Sequence, residues 1–417
     1  MAVRAGRGLD VLSLGSFVVL GLPDGMLGTA WPSMRQSFGA PIADLGLILL
    51  VITAGSVAVS IFVGALIRRF GVPALLSLSG ACAALGGMGF AFAPGIWLVF
   101  VVAVLLGAAA GMMDGGLNTA IGMSGRPRLL NLLHAAYGVG TAIGPLLVAA
   151  AVVLSSWRPA YVVLVFLDLV IAVSWLVQRR NERARPVPAP ARGAGGGPVA
   201  EPAHPGDAWS RRRSAFVVTA GMVIFFVYTG VEVAAGQWEA SYCRGHLGLS
   251  ASAAGIATFG FWGALTGARI TLALLPRPVP PSLVVWWGSG VAVLAAAVIW
   301  WQPGTPATLA AFAVLGAALA GVFPSLVALT PGRIGRGRAQ NVIAWQVGAA
   351  AAGGSGLSAL IGLLIGLAGL AVLGPSLTVL AVLLAAGLIV LERVAPAPRS
   401  GRCRSGPHRR RGPPSPS

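Results

Sequence analysis

Long apolar runs alternate along the chain with short breaks that carry arginine or proline. The runs cover residues 11–34, 45–67, 73–92, 96–121, 129–154 and 160–177, and then 215–240, 251–275, 282–301, 305–329, 342–364 and 368–391. Each is close to or longer than the roughly 18 residues that a helix needs to cross a bilayer. The pattern predicts an all-α membrane protein of about twelve transmembrane helices. A Pro-, Gly-, Ala- and Arg-rich stretch without an apolar run separates the first six from the last six. The chain therefore divides into a six-helix half at 1–178, a flexible linker at 179–213, a second six-helix half at 214–395 and a basic, Pro-rich tail at 396–417 expected to be disordered. Residues 1–10 are basic and lead into the first run, as in a signal peptide. The length of that run, Asp24 within it and the lack of a cleavage pattern make it the first span.

Composition agrees with the pattern. Of 417 residues, 56% are hydrophobic and 10% charged, against roughly 25% charged in soluble domains. A chain so apolar cannot cover itself with a solvated surface. The net charge of +18 comes from arginine, with no lysine. Nearly all of these arginines lie in breaks, linker and tail, which points to membrane topology and not to nucleic acid. With the N-terminus inside, one side holds Arg4, Arg7, Arg68, Arg69, Arg126, Arg128, Arg277, Arg333, Arg336, Arg338, the linker and the tail. The other side holds only Arg35, Arg158 and Arg244. The asymmetry predicts cytoplasmic termini in a cell membrane. Trp286–Trp287 and Trp300–Trp301 suit the two interfaces of one span. Cys82, Cys243 and Cys403 are scattered, so neither a disulfide framework nor a metal site is expected, and no cofactor.

The halves echo each other about 210 residues apart. Gly107 and Gly111 correspond to Gly316 and Gly321, and Asn131, Gly138 and Gly144 to Asn341, Gly348 and Gly354. Asp24 before Trp31 corresponds to Glu232 before Trp238. Such spacing is the mark of a duplicated unit.

An ionisable group at the bilayer centre costs roughly 2.5–3.5 kcal/mol on insertion scales, so it needs a partner, a watery cavity or a proton. Asp24 shares a helical face with Gly28 and Trp31, offering a carboxylate, a gap and an aromatic platform. Asp114 and Asn118 project together at i and i+4, beside a ridge of Gly107, Gly111 and Gly115 suited to helix packing. His134 and Tyr137 open the fifth span, and a histidine there can relay protons or contact a solute. Glu232 is the deeper acid of its span, whereas Glu239 is expected near the outer interface and solvated. Asp168 lacks a motif and reads as locally paired or structural. Gln346 is a weaker candidate for the cavity wall. The expected proton-coupling residues are thus Asp24, Asp114 and Glu232. The expected solute-binding residues are Asn118, His134, Trp31, Tyr137, Trp238 and Gln346.

These stretches resemble the major facilitator superfamily, whose twin halves flank a central site, and more narrowly its fucose-permease-like sugar–proton symporters. The resemblance rests on Asp24-Gly25 with Trp31-Pro32-Ser33-Met34, on Gly111 with Asp114-Gly115-Gly116-Leu117-Asn118, on Leu133-His134 with Gly138, Gly140, Gly144 and Pro145, and on Gly230, Glu232 and Trp238 followed by Phe261-Trp262-Gly263, Gly267 and Arg269. It implies a monomeric, proton-coupled importer of a sugar or similar small polar solute, with Asp24 and Asp114 serving coupling and Asn118 recognition. One departure is Arg68, which stands where the superfamily's loop after the second span usually has Asp. The same acids suit a proton-driven exporter of drugs or metabolites, and Gly140, Gly144 and Pro145 resemble part of an antiporter motif. A transport-dead receptor is a further alternative. No loop is long enough, or rich enough in His, Ser or Asp, for an enzyme active site.

Overall fold

The computed structural model describes residues 7–124, 126–183 and 211–395. All its regular elements are helices. The first half holds α1 (Arg7–Phe38), α2 (Asp44–Ser60), α3 (Val63–Phe70), α4 (Val72–Phe92), α5 (Ile96–Met123), α6 (Pro127–Leu154) and α7 (Arg158–Arg183). The second holds α8 (Arg211–Gly245), α9 (Ala251–Leu274), α10 (Pro281–Trp301), α11 (Thr305–Leu319), α12 (Val322–Ile334), α13 (Arg336–Ala368) and α14 (Leu373–Val394). The segments read as linker and tail, at 184–210 and 396–417, lie outside the described residues.

Among the described residues ten continuous spans, with α11–α12 counted as one, are long and apolar enough to cross a membrane, and α2 with α3 makes an eleventh bent by 54°. The bend falls at Ile61–Phe62, inside the expected run 45–67. The twelfth crossing by position is α9, which is less apolar because it carries several glycines and threonines and Arg269. Its polar face packs on protein, on α8 and α11 of its own half and α6 of the other, while Ile256 and Leu274 stay exposed.

Close backbone packing builds the first half. Gly21 and Gly25 of α1 face α6, and Gly140 and Gly144 of α6 face α1. A Cβ at any of the four would strike backbone of the opposite helix; at Gly144 it would lie 2.6 Å from the Leu22 carbonyl oxygen. Gly107 and Gly111 do the same for α5 against the Ile52 and Ser56 carbonyls of α2. This is the small-residue packing that association inside a bilayer requires, because lipid and side chains are equally apolar.

The halves meet at α6 with α9, α2 with α13, and α1 with α8. Among the described residues two hydrogen bonds cross between them, from Gln237 Nε2 to the Asp24 carbonyl (2.7 Å) and from Arg244 to Ser33 Oγ (2.6 Å). Gly46 also approaches Ala359. All these contacts lie at mid-span or toward the end of the bundle away from the described N-terminus, here called the distal end. At the other end the ion pairs stay within a half: Asp10 with Arg126 (2.5 Å) and Glu392 with Arg333 (2.8 Å). The halves are thus joined distally and parted where α1 begins.

Candidate functional site

A cavity of about 460 Å³ lies between the halves. Its wall contains four carboxyl groups, Asp24, Asp114, Asp168 and Glu232, together with Arg269 and His134. A solvated cavity is what lets such groups exist at this depth.

Asp24 is carried by α1 at the mid-span crossing with α6. Its carboxylate accepts a hydrogen bond from the Tyr137 hydroxyl of α6. Its carbonyl accepts the inter-half bond from Gln237. The close glycine packing of α1 on α6 sets the first of these contacts, and the seam between halves sets the second. Asp114 opens onto the cavity one turn of α5 away from Asn118, whose Nδ2 donates to Asp114 Oδ1 at 2.8 Å. Asn118 itself is not in the cavity wall; it orients Asp114. His134 lies in the wall with its ring edge on Phe17, centroids 6.0 Å apart.

Glu232 is not a free carboxylate. Arg269 Nη2 approaches its Oε2 at 3.2 Å, and the Tyr228 hydroxyl donates to the same oxygen. Arg269 Nε also donates to the Ala320 carbonyl at 2.9 Å, and Tyr228 Oη lies 3.0 Å from the Leu319 carbonyl. Those carbonyls sit at the break between α11 and α12, where helical hydrogen bonding lapses. One cluster therefore pairs an acid and satisfies backbone that would otherwise be bare inside a membrane.

The structure separates other sequence candidates from the cavity. Trp31 is fully buried and its indole N–H donates to the Ile42 carbonyl at 3.0 Å. Trp238 is likewise buried and donates to the Ser358 carbonyl at 3.0 Å. Neither ring lines the cavity. Gln346 is buried inside the second half, accepting from Thr330 Oγ1 at 3.0 Å, beside Arg333 in a separate small pocket. Glu239 is fully buried and not solvated, because α8 runs on to Gly245 and leaves it inside the helix. Asp168, expected to be structural or locally paired, lines the cavity with no hydrogen-bond or ionic partner among the described residues.

Among the polar residues of the cavity that sequence reasoning did not assign to the site, four stand out. Arg269 had a signal, as the only charged residue of α9. Gln237, Trp262 and Thr229 also line the cavity, and Gln237 Oε1, Trp262 Nε1 and Thr229 Oγ1 have no partner among the described residues. Unbonded buried polar atoms are rare in folded proteins, so three of them around one cavity set it apart from ordinary packing. Nothing in their spacing distinguished them from ordinary helix-packing residues.

The comparisons with known proteins agree with this architecture. Among curated protein sequences none matches the chain. Two similar solved structures are of a bacterial homologue of the human lysosomal transporter Spinster, both inward-facing. The unoccupied form has a TM-score of 0.70 at 13% identity, and the occupied form 0.68 at 11%. A peptide transporter in complex with sulfate has a TM-score of 0.66 at 14% identity. Each likeness covers 94% of this chain and 98% of the other. At such identities the fold alone is shared. The family pattern described as Major Facilitator Superfamily matches residues 13–358, across both halves and every charged group of the cavity. With that match, twin helical halves and a charged chamber between them, the chain belongs to the major facilitator superfamily and is a membrane transporter, not an enzyme.

Proposed function

We propose that the protein couples proton movement to uptake of a sugar or a similar small polar solute, with Asp24 and Asp114 as the proton-carrying groups. The observation that carries this reading is the position of Asp24. Its carboxylate faces the cavity while its own backbone carbonyl is held by Gln237 of the other half. A change of charge there acts on the seam that must open and close when the halves rock. His134, Gln237, Trp262 and Thr229 supply donors and acceptors for hydroxyl groups of a solute. Glu232, paired with Arg269, serves in this scheme as a fixed ion pair. The arginine asymmetry supports cytoplasmic termini, and in this reading the parted end faces inward.

The test is external pH in lightly buffered, de-energised cells expressing the protein as sugars are added. Alkalinisation on addition of one sugar, lost in Asp24→Asn, is expected. Uptake against a gradient that persists in both Asp24→Asn and Asp114→Asn refutes the scheme.

One observation favours a second reading, proton-driven export. The cavity holds four carboxyl groups against one arginine and one histidine, an excess that suits a cationic solute. A pH response to cationic drugs under an imposed gradient, with none to sugars, would select it.

A further inference from the structure

The cavity extends from the inter-half space into the interior of the first half, between α4, α5 and α7. Small side chains leave the room: Ala83 on α4 and Ala109 on α5 stand in its wall. Asp168 of α7 stands there too, only 6% exposed. Two turns earlier on the same face of α7 is Tyr161, whose ring stacks on Phe90 with centroids 5.1 Å apart and planes inclined by 20°.

Two polar groups in this arm are left over. The Asp168 carboxyl makes no hydrogen bond or ion pair with any described residue, and the Tyr161 hydroxyl is buried without a partner. Ser79, the other hydroxyl that α4, α5 and α7 give to this arm, donates to the Ala109 carbonyl at 2.7 Å and so does not serve the carboxyl. The basic groups of the cavity are engaged elsewhere. Arg269 is on Glu232, and His134 is on α6 against Phe17. A carboxyl taken from bulk water with neither counter-charge nor donor is costly. Phe and Tyr faces carry the negative side of the ring quadrupole and attract cations.

We propose that this arm is a binding site for a monovalent organic cation bearing an aromatic ring, its ammonium group on Asp168 and its ring against Phe90 and Tyr161. The ligand brings the positive charge that the fold withholds, and the Tyr161 hydroxyl gains a partner from any acceptor the ligand carries. The site is distinct from the coupling residues Asp24 and Asp114. It rests on the reading of the cavity as a solute path, but equilibrium binding needs no proton coupling, so failure of either idea shows separately.

The test uses purified full-length protein in lipid nanodiscs and calorimetric titration with benzyltrimethylammonium chloride. Saturable binding to the wild type is expected, weakened at least about tenfold in Asp168→Asn, the scale of a lost charge-assisted contact. Asp168→Glu should retain most of the affinity, and Asp44→Asn, outside the cavity, all of it. Tetramethylammonium, which lacks the ring, should bind several-fold more weakly. Absence of saturable binding to the wild type overturns the proposal. So does Asp168→Asn within about twofold of wild type, or a larger loss in Asp114→Asn than in Asp168→Asn. Should Asp168→Asn not yield monodisperse protein, Phe90→Leu carries the same test: several-fold weaker binding supports the site and unchanged binding refutes it.

Discussion

Replacing Gly144 by alanine tests the packing on which the Asp24 site stands. The added Cβ would lie 2.6 Å from the Leu22 carbonyl oxygen and 2.9 Å from the Met26 nitrogen. Ordinary carbon–oxygen contacts begin near 3.3 Å, so α1 and α6 must part by about 0.7 Å. Both sides of the clash are backbone, and no rotamer change relieves it. The cost therefore falls toward the upper end of overpacking, about 3 kcal/mol. Alanine returns roughly 1 kcal/mol of helix propensity, leaving about 2 kcal/mol of destabilisation. The matched control is Gly260→Ala in α9, where a Cβ meets nothing within 4 Å. There only the propensity gain remains, so the two variants should differ by about 3 kcal/mol. Thermal melting of detergent-solubilised protein, followed by size-exclusion chromatography, reads the difference. Parting α1 from α6 also pulls Asp24 from the Tyr137 hydroxyl, so Gly144→Ala should lose transport even well below its melting temperature. A Gly144→Ala protein that melts at or above Gly260→Ala, with transport intact, would refute the reasoning.

Three further outcomes follow from the same geometry. Arg269→Met should destabilise by about 3 kcal/mol or more, because it leaves Glu232 unpaired and the Ala320 carbonyl bare, whereas the double variant with Glu232→Gln should be milder; a double variant no better than the single one on thermal melting would disprove the pairing. Trp238→Phe removes the donor to the Ser358 carbonyl and should cost roughly 1–3 kcal/mol of stability without changing solute preference, which competition assays check; an altered preference would return Trp238 to the binding site. Arg244→Ala removes a bond that closes the distal seam, worth about 1 kcal/mol, and should raise the distally open population about fivefold, seen as faster labelling of a cysteine placed at Ala43, beside Gly366 of the other half; labelling at the rate of the Arg244 protein would mean the seam holds without it.

The crossings were legible in the sequence because a bilayer demands continuous apolar length, and eleven of the twelve announce themselves that way. The least apolar, α9, was placed by its run between breaks, and its reason for being less apolar is visible only once α6, α8 and α11 are seen around it. The duplicated acids were also readable, since a carboxyl at mid-membrane is conspicuous on chemical grounds alone. What each acid does was not. Glu232 and Asp24 occupy matching positions in the repeat, yet one is paired with Arg269 and the other bonded by Tyr137, because pairing depends on residues some 40 and 110 positions away. Trp31 and Trp238 looked like cavity walls for the same reason: helical periodicity says which residues share a face but not what that face meets. Glu239 and Asp168 were misjudged through the same gap, one buried where solvation was expected and the other open to a chamber where packing was expected.

The break between α11 and α12 gives the cavity a mechanical connection. The Ala320 carbonyl at that break is bonded by Arg269 Nε, while Nη2 of the same guanidinium pairs with Glu232 in the cavity wall. One side chain therefore ties the span to the chamber. A solute group that draws the guanidinium inward leaves that carbonyl bare inside the membrane, so what the chamber binds is felt by the span beside it.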